Sequence, residues 1–476
     1  MSFAKDTLKS AGAGLVMTVS RFFSMAIIAR QLGVEDFGIL GFGIFCLDLI
    51  ALFALAGLPG LTSRYLPLAS LDERPVIWRM VFIWLAASIA MVLLAAPVVA
   101  VAVIGLSGTA LYLFCAWALI VVLQTASVAQ MQGTLRFDLL AWGNVAGAVA
   151  MLAGAALFVG PGGLVAAFVV LSFSVLLQFL PVLMIWSGLA KPAPPRDAAP
   201  GLPARRDILK YGLNAWVATL TTAIVWGRGE VLVIEAMLTA EALGYYGAAM
   251  TLMAMVWRMT QMLQGAVAPH LSGRIKSGGA ELNRFVLSIT RLTLAISAGT
   301  ALALAFCGRE IAVLVFGSAF SRSGEVLALL APGAAVAGIG TVNLAVQYLS
   351  EGRFTRNAVL FATITLLGLS VLLIQEFDFF GAAAARATIL ICMSISMPLW
   401  MIASGYATLG IKGSVELLAI VLLVACASLL SLFADLSFPV RASLWFVTTY
   451  VIFGRATGSF VPTRMIRGGV RILRAL

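Results

Sequence analysis

The 476-residue chain has little of what soluble proteins and metalloenzymes usually need. It contains one histidine, five cysteines without CxxC spacing, and charged residues at only 11% of positions. The single histidine, His270, cannot supply a metal cluster, and no HExxH or Walker pattern accompanies it. We therefore expect no cofactor, no bound metal and no ATP hydrolysis. So few charges also cannot cover the surface of a water-soluble protein of this length.

Hydrophobic residues, in contrast, make up 62% of the chain and gather in long runs. About 20 consecutive apolar residues span the hydrocarbon core of a bilayer. The sequence therefore predicts an all-α polytopic membrane protein with about fourteen transmembrane helices. The predicted crossings are residues 9–30, 38–62, 77–101, 108–132, 139–159, 163–187, 210–236, 243–267, 283–306, 324–348, 357–376, 381–406, 414–434 and 439–456.

The basic residues predict how these helices are oriented. Lysine and arginine collect in the loops that remain cytoplasmic, and one set of predicted loops holds nearly all of them. The other set holds only Arg30, Arg309, Arg322 and Arg441. This distribution places both termini in the cytoplasm. It also explains the net charge of +11 by topology, so we expect membrane lipids and no nucleic acid as partners.

An internal repeat divides the chain into two parts. Residues 32–41 and 238–247 share leucine, glutamate and both glycines at an offset of 206 residues, and the same offset brings Arg21 within one residue of Arg228. This pattern predicts two six-helix lobes related as parallel repeats, plus two C-terminal helices. The predicted parts are an N-terminal lobe at 1–190, a proline-rich cytoplasmic linker at 191–209, a C-terminal lobe at 210–410, two further helices at 411–460 and a basic amphipathic cytoplasmic tail at 461–476.

Arginines inside the apolar runs are the strongest candidates for a binding site. A guanidinium stays charged and costs several kcal/mol in hydrocarbon, so it faces a polar cavity, a partner acid or a transported anion. Arg21 and Arg228 interrupt the first and seventh crossings, and Arg258 lies on a stripe of small and polar residues in the eighth. We expect these three residues to bind an anionic substrate in an aqueous cavity between the lobes.

Acidic and amide residues nearby leave alternatives open. Asp48 could pair with Arg21, and Glu230 or Glu235 with Arg228, as internal salt bridges or as sites for a coupling ion. Amide side chains could bind sugar hydroxyls, although hydrogen bonds between helices are the commoner role for such residues. The candidate amides are Gln124, Gln261, Asn343 and Gln347.

One segment resembles a known family. The stretch from Ala29 to Gly38, with the sequence ARQLGVEDFG, is followed by Gly57-Leu58 and Arg64-Tyr65-Leu66-Pro67. It resembles the Wzx-type polysaccharide flippases of the MOP superfamily, which is related to MurJ and the MATE drug exporters. The resemblance implies a bacterial inner-membrane transporter that moves an undecaprenyl-pyrophosphate-linked oligosaccharide from the inner to the outer leaflet by alternating access through a cationic central cavity. It also implies polysaccharide polymerase machinery as a partner.

The sequence is also compatible with two other functions. A MATE-like multidrug exporter would prefer acidic groups in an aromatic cavity. An integral membrane glycosyltransferase or polymerase would need acidic catalytic or metal-binding residues in sizeable loops, whereas the predicted external loops are only a few residues long. We therefore expect a transporter and not an enzyme.

Overall fold

The computed structural model describes residues 3–67, 69, 72–189, 204–277, 279–350, 353–405, 410–434 and 436–457. Those residues form helices joined by short turns, and no strand occurs among them. The prediction of an all-α protein is therefore confirmed. The predicted linker is described only from residue 204 onward, and the predicted tail at 461–476 lies outside the described residues.

The chain divides into two compact units, Met1–Ala223 and Ile224–Leu476. The first unit contains α1 Phe3–Leu55, α2 Leu58–Tyr65, α3 Arg74–Ala102, α4 Gly108–Gly133, α5 Phe137–Phe179, α6 Leu183–Trp186 and α7 Arg205–Thr222. A π-helical turn at Ala223–Arg228 follows α7. The second unit contains α8 Val231–Met237, α9 Ala240–Ser277, α10 Gly279–Phe316, α11 Ser323–Ala335, α12 Gly340–Leu349, α13 Arg353–Phe377, α14 Phe379–Ala403, α15 Gly410–Phe433 and α16 Phe438–Thr457.

Each predicted crossing falls mainly on helix, but two pairs of crossings are single bent helices. The first helix, α1, bends at Gly33 (φ 80°, ψ −176°), and α5 bends at Gly163 (φ 57°, ψ −147°). Glycine adopts positive φ without steric cost, so a single residue turns the chain where the sequence predicted a loop. Gly33 belongs to the repeated segment 32–41, and the corresponding position in the second unit is the gap between α8 and α9.

The surface of the helices identifies the surrounding medium. Eight helical segments within the described residues are long and apolar enough to cross a bilayer, and two shorter apolar helices follow at Ala419–Phe433 and Phe438–Phe453. Large apolar side chains are exposed on them, including Leu94 at 76%, Phe361 at 74% and Ile364 at 73%. Hydrocarbon tails can solvate such a surface and water cannot. The chain is therefore a multi-pass membrane protein.

In the first unit, α7 packs against α2 and the end of α1. Nε1 of Trp216 donates to the carbonyl oxygen of Leu52 at 2.9 Å, and the rings of Tyr65 and Tyr211 meet edge to face at 5.6 Å. The guanidinium carbon of Arg64 lies 4.2 Å from the centre of the Tyr211 ring. The division between the compact units therefore lies inside the predicted seventh crossing, downstream of the predicted linker. The functional lobe boundaries stay a prediction.

In the second unit, hydroxyl groups of α10 donate hydrogen bonds to main-chain carbonyls at a break between α11 and α12. The sequence predicts one crossing at 324–348, whereas a 3₁₀ turn at Val336–Ile339 interrupts it. Ser297 donates to the carbonyl of Ala335 at 2.7 Å, and Thr293 donates to that of Gly338. Carbonyl groups at the interruption thus have partners on α10, as buried main-chain groups require.

The last described helix, α16, is attached to α10 by side chains four residues apart. Arg441 donates to the carbonyl of Phe306 at 3.2 Å and forms an ion pair with Glu310. Nε1 of Trp445 donates to the carbonyl of Gly299 at 3.0 Å. Positions four apart lie on the same helix face, so one face of α16 carries both anchors.

Candidate functional site

Arg21 lies in the regular first arm of α1, and its side chain is exposed on the first unit. Within the described residues, no acid lies at ion-pair distance from it. The alternative pairing of Arg21 with Asp48 is therefore not formed. Asp48 is also exposed and lies in the second arm of α1. The Arg21 guanidinium can accordingly meet a negatively charged ligand.

Arg228 closes the π-helical turn that interrupts the predicted seventh crossing. Gly227, directly before it, has φ −80° and ψ −116°, which is outside the helical region. The N–H of Gly229 donates to the carbonyl of Ile224 at 3.0 Å, five residues back along the chain. π-Helical turns inside helices are frequent at functional sites. The side chain of Arg228 is half-buried at this break.

Glu230, two residues after Arg228, forms a buried ion pair with Arg386. Nη1 of Arg386 donates to both carboxylate oxygens of Glu230, at 2.6 and 2.7 Å, and Nη2 donates to the carbonyl of Gly227 at 2.8 Å. Both side chains have 0% exposure. Glu230 thus pairs with Arg386 on α14, and the alternative in which it pairs with Arg228 is not what the structure shows.

Aromatic residues of α9 complete the surroundings of this ion pair. The hydroxyl of Tyr246 donates to Oε1 of Glu230, and the ring of Trp257 lies 4.9 Å from the guanidinium carbon of Arg386. Tyr246 and Trp257 are eleven positions apart, about three helical turns, so they share one face of α9. Trp257 also meets Trp226 of the π-helical turn edge to face at 6.3 Å.

The other charged candidates are placed separately. Arg258 is exposed on α9, and no described acid lies at ion-pair distance from it. Glu235 is half-buried in α8. Glu230 pairs with Arg386, and Glu235 has no ion-pair partner among the described residues.

The amide candidates fall into two groups. Gln124 donates to Oε1 of Gln178 at 3.3 Å, which joins α4 to α5, so it serves the structural role that such residues commonly have. Asn343 and Gln347 are one turn apart on α12, and Oδ1 of Asn343 is buried without a partner among the described residues. Gln347 is exposed. The side chain of Gln261 lies outside the described residues, although its backbone belongs to α9.

A family model described as "Polysaccharide biosynthesis protein" matches residues 3–273, which is more than half of the chain. The chain belongs to this family. The resemblance that residues 29–67 indicate is therefore confirmed. The matched region includes Arg21, Arg228 and Arg258, and it ends before Arg386.

Two solved transporter structures share the fold of this chain. The inward closed conformation of the lipid II flippase MurJ aligns with a TM-score of 0.69 and 13% identity, covering 94% of this chain and 98% of that one. An inward-facing multidrug resistance MATE family transporter of the MOP superfamily aligns with a TM-score of 0.64 and 16% identity, covering 85% of this chain and 95% of that one. Identities this low establish the fold alone. No curated protein sequence matches the chain significantly.

Sequence reasoning missed Arg386, although the relevant signal was present. Arg386 stands in the apolar stretch FGAAAARATIL of the predicted twelfth crossing, as Arg21 and Arg228 stand in theirs. The internal repeat directed attention to the two arginines that match each other, and Arg386 has no counterpart of that kind. The sequence indicated Glu230, the partner of Arg386, only as a possible partner of Arg228.

Proposed function

We propose that this protein is a flippase that moves an undecaprenyl-pyrophosphate-linked oligosaccharide from the inner to the outer leaflet of a bacterial inner membrane. The observation that carries the proposal is the pair Arg21 and Arg228, which stand at matching places of the internal repeat, inside two predicted crossings. Membership of the polysaccharide biosynthesis family supports the proposal. The fold shared with the lipid II flippase MurJ is consistent with it.

Arginine suits a pyrophosphate head group. Such a group carries about two negative charges, and its transfer out of water is costly unless donors are already in place. The planar guanidinium donates two parallel hydrogen bonds to phosphate oxygens and remains charged at every cellular pH. Arg258 is the third arginine in the proposed site, and Gln261, Asn343 and Gln347 are the proposed sugar contacts. Gln124 stays a predicted sugar contact, and its bond to Gln178 favours the structural role instead.

The proposed mechanism is alternating access through a cationic central cavity. The cavity opens first to the cytoplasm and then to the outer face, while the prenyl chain stays in the lipid. A negative cell interior favours outward movement of an anion by roughly 2.3 kcal/mol per charge per 100 mV. The bond from Nη1 of Arg386 to both carboxylate oxygens supplies Glu230 with a cation, so Glu235 is a better candidate than Glu230 for any coupling ion. Asp48 stays a predicted candidate.

The test is complementation of a deletion strain, with the leaflet of the lipid-linked glycan read by a membrane-impermeant reagent. We expect Arg21→Ala and Arg228→Ala to insert at normal levels and to trap the glycan on the cytoplasmic leaflet, whereas Arg→Lys at either position retains part of the export. Arg136→Ala is the matched control, because Arg136 lies in the turn between α4 and α5. Normal glycan export by both Arg21→Ala and Arg228→Ala would overturn the proposal.

Two other results would redirect the assignment. Loss of drug resistance in the deletion strain, with normal glycan export, would favour a multidrug exporter of the MATE kind. Glycosyl transfer by the purified protein would favour an enzyme. Cysteine labelling of the termini tests the proposed cytoplasmic location of both ends, and co-purification with a polysaccharide polymerase tests the proposed partner.

A further inference from the structure

The break in the seventh crossing has a specific geometry around Arg228. The helix ends at Thr222, a π-helical turn runs over Ala223–Arg228, and helix resumes at Val231. Main-chain groups released by such an interruption must find partners other than the regular helical ones. The conformation at Gly227 and Glu230 therefore decides the direction in which the Arg228 side chain leaves the backbone.

One side chain from another helix, that of Arg386, bonds to residues before and after Arg228 in the chain. Nη2 of Arg386 donates to the main-chain carbonyl of Gly227, one residue before Arg228, at 2.8 Å. Nη1 donates to the carboxylate of Glu230, two residues after it, at 2.6 and 2.7 Å. The two contacts come from different nitrogens of one planar, rigid group. Arg386 therefore fixes the spacing between the residues that flank Arg228.

The surroundings hold Arg386 itself in place. Trp257 covers the guanidinium at 4.9 Å and contacts Trp226, two residues before Arg228, at 6.3 Å. Tyr246 donates to the same carboxylate as Arg386 does. The turn is thus held at Trp226, Gly227 and Glu230 from two helices, α9 and α14.

We propose that Arg386 is a positioning residue, which sets the backbone at 227–230 and so aims Arg228 at the anionic head group. The inference rests on the proposed function. A buried ion pair by itself is a poor explanation for keeping these residues, because apolar residues of similar volume usually replace such pairs without loss of stability. The bond to the Gly227 carbonyl is the part that an apolar pair cannot reproduce.

The central test replaces the whole ion pair, since a single substitution would leave an unpaired buried charge. The variant is Arg386→Met combined with Glu230→Met, and the probe is undecaprenyl pyrophosphate bound to the purified protein in detergent. We expect at least a tenfold loss of affinity in a variant that still folds, with a lower unfolding temperature because the Gly227 carbonyl and the Tyr246 hydroxyl lose their partners. Amide hydrogen exchange at residues 227–231 should become faster in this variant, while exchange in α10 stays unchanged.

A double-mutant cycle separates positioning from a general effect. Arg228→Ala should weaken binding strongly in the wild-type background and only slightly in the double-methionine background, where Arg228 is already misdirected. The matched control is Arg441→Met with Glu310→Met, which removes another ion pair of the second unit, one that contacts the Phe306 carbonyl and not the turn. This control should bind the probe as wild type does.

The outcomes distinguish this inference from the proposed function. If wild type does not bind the probe, or Arg228→Ala binds it normally, the proposed function loses its main support. If Arg228→Ala weakens binding but the double-methionine variant binds as wild type does, Arg386 has no positioning role and the proposed function stands. Should the double variant fail to fold, Arg386→Lys replaces it, because lysine can still pair with Glu230 but has no second nitrogen for Gly227. Normal binding by Arg386→Lys would then overturn the inference.

Discussion

The main chains of Gly57 and Gly212 lie in contact where α2 begins beside α7. Gly57 has φ 87°, and a Cβ atom at that position would overlap the carbonyl oxygen of Gly212. The hydrogen bond from Trp216 to Leu52 of α1 and the ring contact between Tyr211 and Tyr65 of α2 continue the packing along α7. The close approach therefore depends on a residue without a side chain.

Gly57→Ala should destabilise the protein, because alanine at positive φ costs roughly 1–2 kcal/mol and the added methyl group also collides with α7. We expect a lower unfolding temperature for the purified protein in detergent. Gly14→Ala is the control, since a Cβ there would meet nothing within 4 Å. In the first arm of α1 alanine should be neutral or stabilising by up to about 1 kcal/mol. Equal effects of the two substitutions would contradict this explanation.

Tyr246→Phe removes the hydroxyl that donates to the buried carboxylate of Glu230. We expect a loss of about 1–3 kcal/mol in the free energy of unfolding, since a buried acceptor loses one of its donors. The adjacent Tyr245→Phe is a matched control, because Tyr245 donates at 2.7 Å to Glu241, an exposed residue that water can solvate. Its loss should stay below about 1 kcal/mol. A larger effect at Tyr245 would show that burial does not decide the difference.

Arg441→Met should weaken the attachment of α16 to α10. The substitution leaves Glu310 without its cation and the Phe306 carbonyl without a donor, which we expect to cost about 1.5–3 kcal/mol. Arg136→Met is the comparison, because the Arg136–Asp138 pair has its carboxylate 51% exposed. Exposed pairs contribute about 0–1 kcal/mol. Unfolding in detergent measures both values, and limited proteolysis at the start of α16 would report its release.

Ser297→Ala tests whether α10 stabilises the interruption between α11 and α12. The substitution removes the donor to the Ala335 carbonyl, and we expect a loss of about 1 kcal/mol. Thr300→Ala serves as the control one turn along α10, because its hydroxyl bonds only to the carbonyl of Ile296 in its own helix. Such local bonds add little. If both variants unfold like wild type, the interruption needs no support from α10.

The fold was largely predictable from the sequence, and the contacts around the candidate site were not. Bilayer thickness sets the length of apolar runs, so most of the predicted crossings fall on apolar helices among the described residues. The sequence did not reveal the bends at Gly33 and Gly163, because a single glycine with positive φ can turn the chain without a loop. The partnership of Glu230 with Arg386 joins residues 156 positions apart, and no periodicity in a single sequence connects such positions.

The internal repeat explains why some residues of the candidate site were predicted from the sequence and others were not. Offset matching selected Arg21 and Arg228, which are the two residues on which the proposed function rests. It could not reveal that α1 stays helical through Arg21 whereas the matching crossing is interrupted at Arg228. Arg386 bonds to Gly227 and Glu230 at that interruption, and the offset did not point to it.

The long separation between Glu230 and Arg386 has a consequence for biogenesis. A ribosome adds about 5–20 residues per second, so the acid emerges on the order of 10 s before its basic partner. During that interval the nascent seventh crossing carries an acid that hydrocarbon disfavours. We expect the insertion machinery to retain this segment, or to admit it protonated, until the predicted twelfth crossing arrives. Chains truncated just before Arg386 should accordingly stay bound to that machinery or be degraded.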